Sequence, residues 1–274
     1  MDEICTNFLG VDPVTQLIPV RPAQHYSMGG VRTNKWGAAD GLEGLFSAGE
    51  AACWDMHGFN RLGGNSLAET VVAGKVVGEK MVEYLKGREA VYKTACVKDA
   101  VAKVEARIKN LVLSKSGKES VYEVRNAMQD ALMEGVGIFR DGPELQQAVD
   151  TLQEVHARSK KIGLRSKGFG PDPELALALR MPGQVRLALC LAYGALMRTE
   201  SRGCHSRKDY PARNDRDWLN RTLATWDEGA DLPTLTYEEA SKVFERPPGD
   251  RGYGSGQKVI NPGDVGDGKV ETKG

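Results

Sequence analysis

The chain of 274 residues lacks the compositional features that mark nucleic-acid-binding proteins. Lysine plus arginine equals aspartate plus glutamate, at 37 each, so no net charge attracts a nucleic acid or an anionic membrane. Basic residues form no block, and aromatic residues are only 7% of the composition, which leaves few rings for base stacking. The composition therefore predicts no nucleic-acid partner.

Cysteines are few and far apart in the sequence. They form no CxxC pair and no Cys/His spacing of the kind that binds zinc or an iron–sulfur cluster, so we expect no metal site. An odd, scattered set is typical of a reducing, cytosol-facing compartment, where cysteine behaves as a small apolar residue. The five are Cys5, Cys53, Cys96, Cys190 and Cys204.

Long apolar runs are absent as well. The best of them, Val185–Met197, is interrupted by Arg186 and falls short of the roughly 20 residues that span a bilayer. The acidic N-terminus has no apolar core of the kind found in signal peptides. We therefore expect no transmembrane segment of the chain's own, and membrane association only through a partner.

The most informative stretch that is present runs from His57 to Glu69 and leads into a helical pattern. Ser66 and Glu69 have the spacing of a capping box, and apolar residues recur at helical spacing as far as Leu85, which predicts about five turns of helix. A helix N-terminus carries a partial positive charge and suits an anion or an electron-rich carbonyl. An ordinary loop-to-helix junction would show the same pattern, so the pattern alone leaves both interpretations open.

Two further candidate residues precede this stretch. His25 lies beside the flexible pair Gly29-Gly30, and Glu50 ends a predicted short buried strand, Gly44–Glu50. A carboxylate just past a strand is well placed to bind ribose hydroxyls, as in dinucleotide sites. A structural histidine and a solvated turn glutamate are the alternatives, and the residues themselves do not decide between them.

From Arg88 onward the pattern is amphipathic and helical. Three predicted helices, Val97–Leu113, Ser120–Val136 and Glu144–His156, are separated by glycine-containing links. Short links between such helices predict an antiparallel bundle whose apolar stripes form the core. We expect His156, in the last turn of the third helix, to lie on a solvated face.

The remaining sequence is more irregular. A glycine- and proline-rich linker, Gly163–Pro173, precedes a fourth predicted helix, Pro182–Thr199. The segment Glu200–Pro211 interleaves acidic and basic residues, which predicts an internal salt-bridge network. Trp218–Trp226 is predicted to form a strand or turn, and the composition beyond Arg246 predicts a mobile tail.

Four motifs together resemble the flavoprotein subunit of fumarate reductase and succinate dehydrogenase. They are HYSMGG from His25, AGE from Ala48, HGFNRLGGNSL from His57 and ESRGCH from Glu200. They occur in the family's order, and the resemblance extends over residues 1–226. It implies a mixed α/β, mainly α fold that comprises the C-terminal portion of an FAD-binding domain, a three-helix bundle and a small irregular C-terminal domain. The implied boundaries are 1–87, 88–162, 163–246 and a tail at 247–274.

The resemblance also implies site residues and partners. Arg61 would clamp a carboxylate of fumarate or succinate with its planar fork of donors, and His25 would hold the other end of the dicarboxylate. Glu50 would bind the FAD ribose, while Ser66 and Leu67 would donate backbone N–H groups to the flavin C2 carbonyl. Electrons would pass to an iron–sulfur subunit and a membrane anchor subunit, on the cytoplasmic side of the inner membrane.

Part of the family's pattern has no counterpart in this sequence. No GxGxxG motif occurs, and the family's proton-donating arginine is also lacking. We therefore expect a C-terminal half with no catalytic acid of its own and little turnover alone, and a separate N-terminal half as a further partner. Alternatives are a non-catalytic remnant or assembly module, and an enzyme like L-aspartate oxidase. Gly63-Gly64 favours the fumarate and succinate branch, and Phe59 stands where alanine is commoner.

Overall fold

The structure, a computed structural model, describes residues 2–20, 25–89, 94–113, 117–165, 172–227, 229–240 and 259–260. Helices dominate, and the mixed, mainly helical fold that the sequence predicts is confirmed. The helices are α1 (Asp2–Ile4), which continues into a π-helical turn at Cys5–Leu9, α2 (Asn65–Leu85), α3 (Thr94–Leu113), α4 (Val121–Gly135), α5 (Gly142–Ser159), α6 (Pro173–Met197) and α7 (Asp215–Trp218).

The strands are short and form two-stranded sheets. Within the described residues, three sheets are parallel pairs of two residues per strand, and a fourth is an antiparallel pair of six-residue strands. The parallel pairs are β1 (Val31–Arg32) with β2 (Ala52–Cys53), β3 (Phe139–Arg140) with β4 (Ser206–Arg207), and β5 (Arg213–Asn214) with β8 (Val259–Ile260). The antiparallel pair is β6 (Asn220–Thr225) with β7 (Thr234–Glu239).

The main core lies among α4, α5 and α6. Their facing side chains bury a continuous apolar cluster, while α3 lies along α6 and its Arg107 donates to the Leu179 carbonyl at 2.6 Å. The three predicted helices of the bundle exist close to their predicted bounds. The sequence predicts α3 as the third helix of the core, but in the structure α6 packs there against α4 and α5. The residue boundaries between domains stay a prediction.

The predicted start of the fourth helix is wrong. The sequence suggested Pro182, but α6 begins at Pro173, where Asp172 caps it by accepting the backbone N–H of Glu174 at 2.8 Å. Proline in a helix interior removes one backbone hydrogen bond and usually ends or kinks the helix. Here Ala178 and Met181 are buried before the proline and Val185 after it, so packing on both sides keeps the helix continuous.

The long helix α6 is also the only described helix whose length and composition would allow it to cross a membrane. Met181, Val185 and Leu189 on one of its faces are fully buried in the bundle. Packing against α4 and α5 therefore accounts for the apolar residues of this face, whereas Leu187 and Leu191 of the same helix are exposed.

Two other predictions differ from the structure, and one lies outside it. His156 is buried, not solvated, and its ring packs edge-on against Trp226 with centroids 5.4 Å apart. Gly44–Glu50 forms turns and a single bridge, and Glu50 lies in the 3₁₀ turn Gly49–Ala51. The predicted tail lies outside the described residues except for strand β8.

Replacing Leu152 with alanine tests the bundle core. Leu152 is fully buried in α5, so the Leu152→Ala variant leaves a cavity and should lower the free energy of unfolding by about 2–5 kcal/mol. Leu187 in α6 is 66% exposed, so Leu187→Ala is the matched control and should change stability little. Urea denaturation followed by circular dichroism measures both, and equal effects would contradict this description of the core.

Candidate functional site

A buried carboxylate organises the region around the start of α2. Glu69, in the second turn, is only 2% exposed. It accepts hydrogen bonds from the Tyr26 hydroxyl at 2.7 Å and from Trp54 Nε1 at 2.9 Å, and its Oε2 lies 2.7 Å from His57 Nε2. Since an ionised carboxylate only accepts, the last contact requires a proton on His57 Nε2. Two separate segments of the chain, at Tyr26 and at Trp54–His57, thus converge on one side chain.

These hydrogen bonds shift the pKa values of the cluster. Burial raises the pKa of Glu69, but the donors Tyr26, Trp54 and His57 together outweigh burial and hold that pKa below its ordinary value. Burial, the hydrogen bond to Glu69 and the negative charge of Glu69 raise the pKa of Tyr26 to about 12. At neutral pH the cluster therefore holds an ionised carboxylate and a protonated phenol.

The capping box predicted at Ser66 and Glu69 is wrong. Helix α2 begins at Asn65, and its N-cap is Gly64, in a left-handed conformation at φ +82°. Glu69 does not reach back to the helix start because its carboxylate is bound to the aromatic cluster. Gly64 has no side chain that could cap the first turn, so the start of α2 presents backbone N–H groups beside open space.

Arg61 contacts this cluster through the ring of Tyr26. Its guanidinium carbon is 5.1 Å from the centroid of the Tyr26 ring, a cation–π arrangement, and the ring itself is fixed by Glu69. Nη1 is 3.4 Å from the Leu62 carbonyl oxygen, whereas Nε is buried and has no hydrogen-bond partner within the described residues. Arg61 is therefore held in place from one side, and at least one of its donors is unused.

The other predicted site residues lie around this arginine. The Glu50 carboxylate accepts the backbone N–H of Ser27 at 2.8 Å, which ties the segment of His25 to the turn at residues 49–51. His25, Glu50 and Leu67 are exposed, and Ser66 is half-buried. The structure brings their segments together around the start of α2, while their predicted ligand contacts stay a prediction. Among the described residues no cluster of His, Cys, Asp or Glu could hold a metal ion.

The internal salt-bridge network predicted in the C-terminal region is confirmed. Glu200 is completely buried and accepts hydrogen bonds from Arg198 Nη1 and Arg202 Nε, both at 2.7 Å. Arg202 also donates to Asp215 at 2.6 Å. Arg207 donates to the Ala195, Leu196 and Arg198 carbonyls and so satisfies the C-terminal end of α6. The charges are thus paired where they are buried.

His205 is part of the same network. It is buried, with Nδ1 2.9 Å from Arg140 Nη1 and Nε2 3.0 Å from the Arg198 carbonyl oxygen. An arginine can only donate and a carbonyl can only accept, so the ring is neutral with its proton on Nε2. Burial lowers the pKa of His205 to about 4, and the neighbouring arginines act in the same direction.

Sequence reasoning missed Glu69, Tyr26 and Trp54 as site residues. The spacing of Glu69 from Ser66 fits a capping box, which hides its role in the cluster. Only the glycine immediately before Asn65 indicates that no side chain caps this helix. Tyr26 and Trp54 carry no local signal, because their role depends on contacts with helix α2. That helix begins at Asn65, which is 39 residues after Tyr26 and 11 residues after Trp54.

Known proteins are similar to this chain in sequence. A family model described as fumarate reductase flavoprotein C-term matches residues 125–253, and one described as FAD binding domain matches residues 1–67. The fumarate reductase flavoprotein subunit of Helicobacter pylori (strain ATCC 700392 / 26695) is 49% identical over 239 residues, which are 86% of this chain and 33% of that protein. The subunit from Escherichia coli (strain K12) is 34% identical over 278 residues, 99% of this chain and 45% of its own length.

Solved structures agree with the sequence matches. A single-residue variant of E. coli quinol fumarate reductase FrdA superposes with a TM-score of 0.83 at 35% identity, covering 90% of this chain and 42% of that chain. The apo form of the Mycobacterium smegmatis Sdh1 complex gives a TM-score of 0.75 at 31% identity, covering 87% and 39%. The fold and site therefore define part of an FAD-containing flavoprotein of the oxidoreductase class.

The chain belongs to the fumarate reductase and succinate dehydrogenase flavoprotein family, and its cofactor is FAD. It spans between a third and just under half of the length of these relatives. The residues present fit the cofactor, because an added side-chain atom at Gly63 or Gly64 would meet nothing within 4 Å. A planar ring can therefore approach the uncapped start of α2.

Replacing Glu69 with glutamine tests the cluster. The amide presents one acceptor and two donors to groups that all donate, so Glu69→Gln should lower the free energy of unfolding by about 1–3 kcal/mol at neutral pH. Because the folded-state pKa of Glu69 is lowered, its stabilisation is present above the ordinary pKa and lost as pH falls through the lowered one. The two proteins should therefore converge in acid. Exposed Glu79 on the same helix provides the control, Glu79→Gln, and an equal effect of the two variants would contradict the cluster.

His205 predicts a second pH dependence. As pH falls from the ordinary value of 6.5 towards about 4, the unfolded chain binds a proton at this histidine and the folded chain does not. The free energy of unfolding of the wild-type protein should therefore decrease over this interval, and His205→Gln should make the decrease smaller. Urea titrations at several pH values measure the slope; identical slopes for the two proteins would show that His205 does not titrate as inferred.

Proposed function

We propose that this chain supplies one wall of the flavin and dicarboxylate site of a fumarate-reducing or succinate-oxidising flavoprotein. The observation that carries the proposal is Arg61. Its guanidinium is stacked on Tyr26, and Nε is buried without a partner in the described part of the chain. Only Nη1 donates within the described residues, to the Leu62 carbonyl, so the guanidinium keeps donors for charge-assisted hydrogen bonds to a substrate carboxylate.

The other site residues have complementary roles in this proposal. His25 binds the second carboxylate of fumarate or succinate, and Glu50 accepts hydrogen bonds from the FAD ribose. Ser66 and Leu67 donate backbone N–H groups to the flavin C2 carbonyl at the positive end of α2, where a developing negative charge is stabilised. When bound, FAD supplies the chemistry of hydride exchange with the dicarboxylate.

The exposed surface of α2 supports assembly with further polypeptide. Leu67 is 76% exposed, and Val71, Val72 and Val82 are also exposed on this helix. So many exposed apolar side chains on one helix indicate an interaction site. We propose that it packs against the remainder of the FAD-binding fold, on a separate N-terminal half or in a longer chain. The same surface would also serve the non-catalytic assembly module considered above.

Further partners follow from the proposed reaction. An iron–sulfur subunit would exchange electrons with the flavin, and a membrane anchor subunit would exchange them with a quinone. The flavoprotein would then be peripheral, on the cytoplasmic side of the inner membrane. The proton-donating arginine that the resemblance requires has no match here, so we expect little or no fumarate reduction by the chain alone.

Substituting Arg61 by lysine tests the carboxylate clamp. Lysine keeps the positive charge but loses the planar fork, so Arg61→Lys should weaken fumarate binding about tenfold or more. Isothermal titration with fumarate measures the affinity. The sample is the chain with FAD, co-expressed with the remainder of the FAD-binding domain from a relative.

Arg88 provides a matched control for this experiment. It also stacks on a tyrosine, with its guanidinium carbon 3.9 Å from the Tyr84 ring centroid, but at the other end of α2. Arg88→Lys should leave fumarate affinity unchanged. Equal affinities of Arg61→Lys and the wild-type assembly would contradict the clamp, and L-aspartate binding in preference to fumarate would favour the L-aspartate oxidase alternative.

A further inference from the structure

Phe59 lies in the loop between His57 and Arg61, and its ring contacts the C-terminal region. The Arg198 guanidinium carbon is 4.9 Å from the centroid of the ring, which is a cation–π contact. The His205 ring lies tilted beside it, with centroids 6.3 Å apart. About 140 residues separate these groups in sequence, so the loop that carries Arg61 is in direct contact with a distant part of the chain.

The backbones of the two regions are also in contact. Cys204 donates its N–H to the Phe59 carbonyl oxygen at 3.0 Å. Gly203 has φ +56°, and a Cβ added there would lie 2.5 Å from Phe59 Cβ. No side chain fits at position 203 without moving the loop, so glycine is required both by its conformation and by this close approach.

The surface that Phe59 contacts is rigid. Arg198 is 2% exposed, and it donates to Glu200 at 2.7 Å, to the Trp218 carbonyl at 3.0 Å and to the Asn220 carbonyl at 2.7 Å. A guanidinium with its donors committed to fixed acceptors has little freedom to move. The ring of Phe59 therefore rests on a cation whose position the C-terminal region determines.

We propose that Phe59 is a positioning residue that fastens the Arg61 loop to the C-terminal region and thereby sets where Arg61 meets its ligand. Glu69 holds the loop at His57, and the contact with Arg198, Gly203 and Cys204 holds it at Phe59. Arg61 follows two residues later. The dicarboxylate part of this inference rests on the proposed function, whereas the fastening of the loop does not.

Amide hydrogen exchange on the purified full chain tests the fastening directly. The Cys204 amide, bonded to Phe59, and the Asn60 amide, bonded to His57 at 3.3 Å, report on the loop. Phe59→Ala removes the ring and Gly203→Ala forces the loop away, so both should accelerate exchange at these amides about tenfold or more. Phe59→Tyr keeps the ring and should restore slow exchange. Wild-type exchange rates at both amides in both alanine variants would overturn the proposal.

Two controls separate a local effect from general destabilisation. Gly87 has a similar positive φ of +73°, with nothing within 4 Å of an added Cβ, so Gly87→Ala carries the same backbone strain without a contact. It should leave the loop amides unchanged. Amides of α5 report on the bundle, and their exchange should stay at the wild-type rate in Phe59→Ala. Equal acceleration in α5 and in the loop would show that the phenylalanine is merely structural.

A fumarate titration on the FAD-containing assembly tests the link to Arg61. Phe59→Ala should weaken fumarate binding about tenfold, and Phe59→Tyr should restore it. Accelerated exchange with unchanged fumarate affinity would overturn the positioning role. If the wild-type assembly binds no fumarate, the proposed function fails, and the exchange rates still decide whether Phe59 fastens the loop.

Discussion

The site region depends on one buried carboxylate, that of Glu69. An ionised carboxylate in a protein interior is tolerated only when several donors replace the water it has lost. Glu69 obtains them from Tyr26 in one segment and from Trp54 and His57 in another. The requirement to satisfy one charge therefore brings these segments against the start of α2. The Tyr26 ring on which Arg61 stacks is placed by the same requirement.

The C-terminal network follows the same physical rule at larger scale. Glu200 and Arg198 are both fully buried, and each leaves few donors or acceptors unpaired. Such a pair contributes little net stability compared with apolar residues of similar size. Removing one partner, however, leaves the charge of the other buried and unpaired. Its effect is geometric, because fully committed hydrogen bonds fix Arg198 and, through it, the surface that Phe59 contacts.

The sequence predicts regular elements better than it predicts the site. Periodicity predicts α2, α4 and α5. The apolar stripes of α4 and α5 follow from packing on one face, whereas most apolar residues of α2 stay exposed. The sequence predicts that α6 begins at Pro182, because proline usually ends or starts a helix. That local rule takes no account of the buried residues before and after this proline. The sequence also places His156 in solvent, because its position in the last turn carries no sign of the Trp226 ring that covers it. Errors of this kind arise where distant residues decide a local outcome.

The site residues show the same division between local and distant information. Arg61, Ser66 and Leu67 belong to a motif with a local signature, so sequence alone nominates them. What would suit Arg61 to the carboxylate in the proposed site is not local: the ring below it is held by Glu69, and Phe59 in the loop before it contacts residues about 140 positions away. A flexible arginine would lose conformational entropy on binding, whereas one fixed in advance loses little. In the proposed site, the buried charges on both sides of the loop would thus hold Arg61 in advance for its carboxylate.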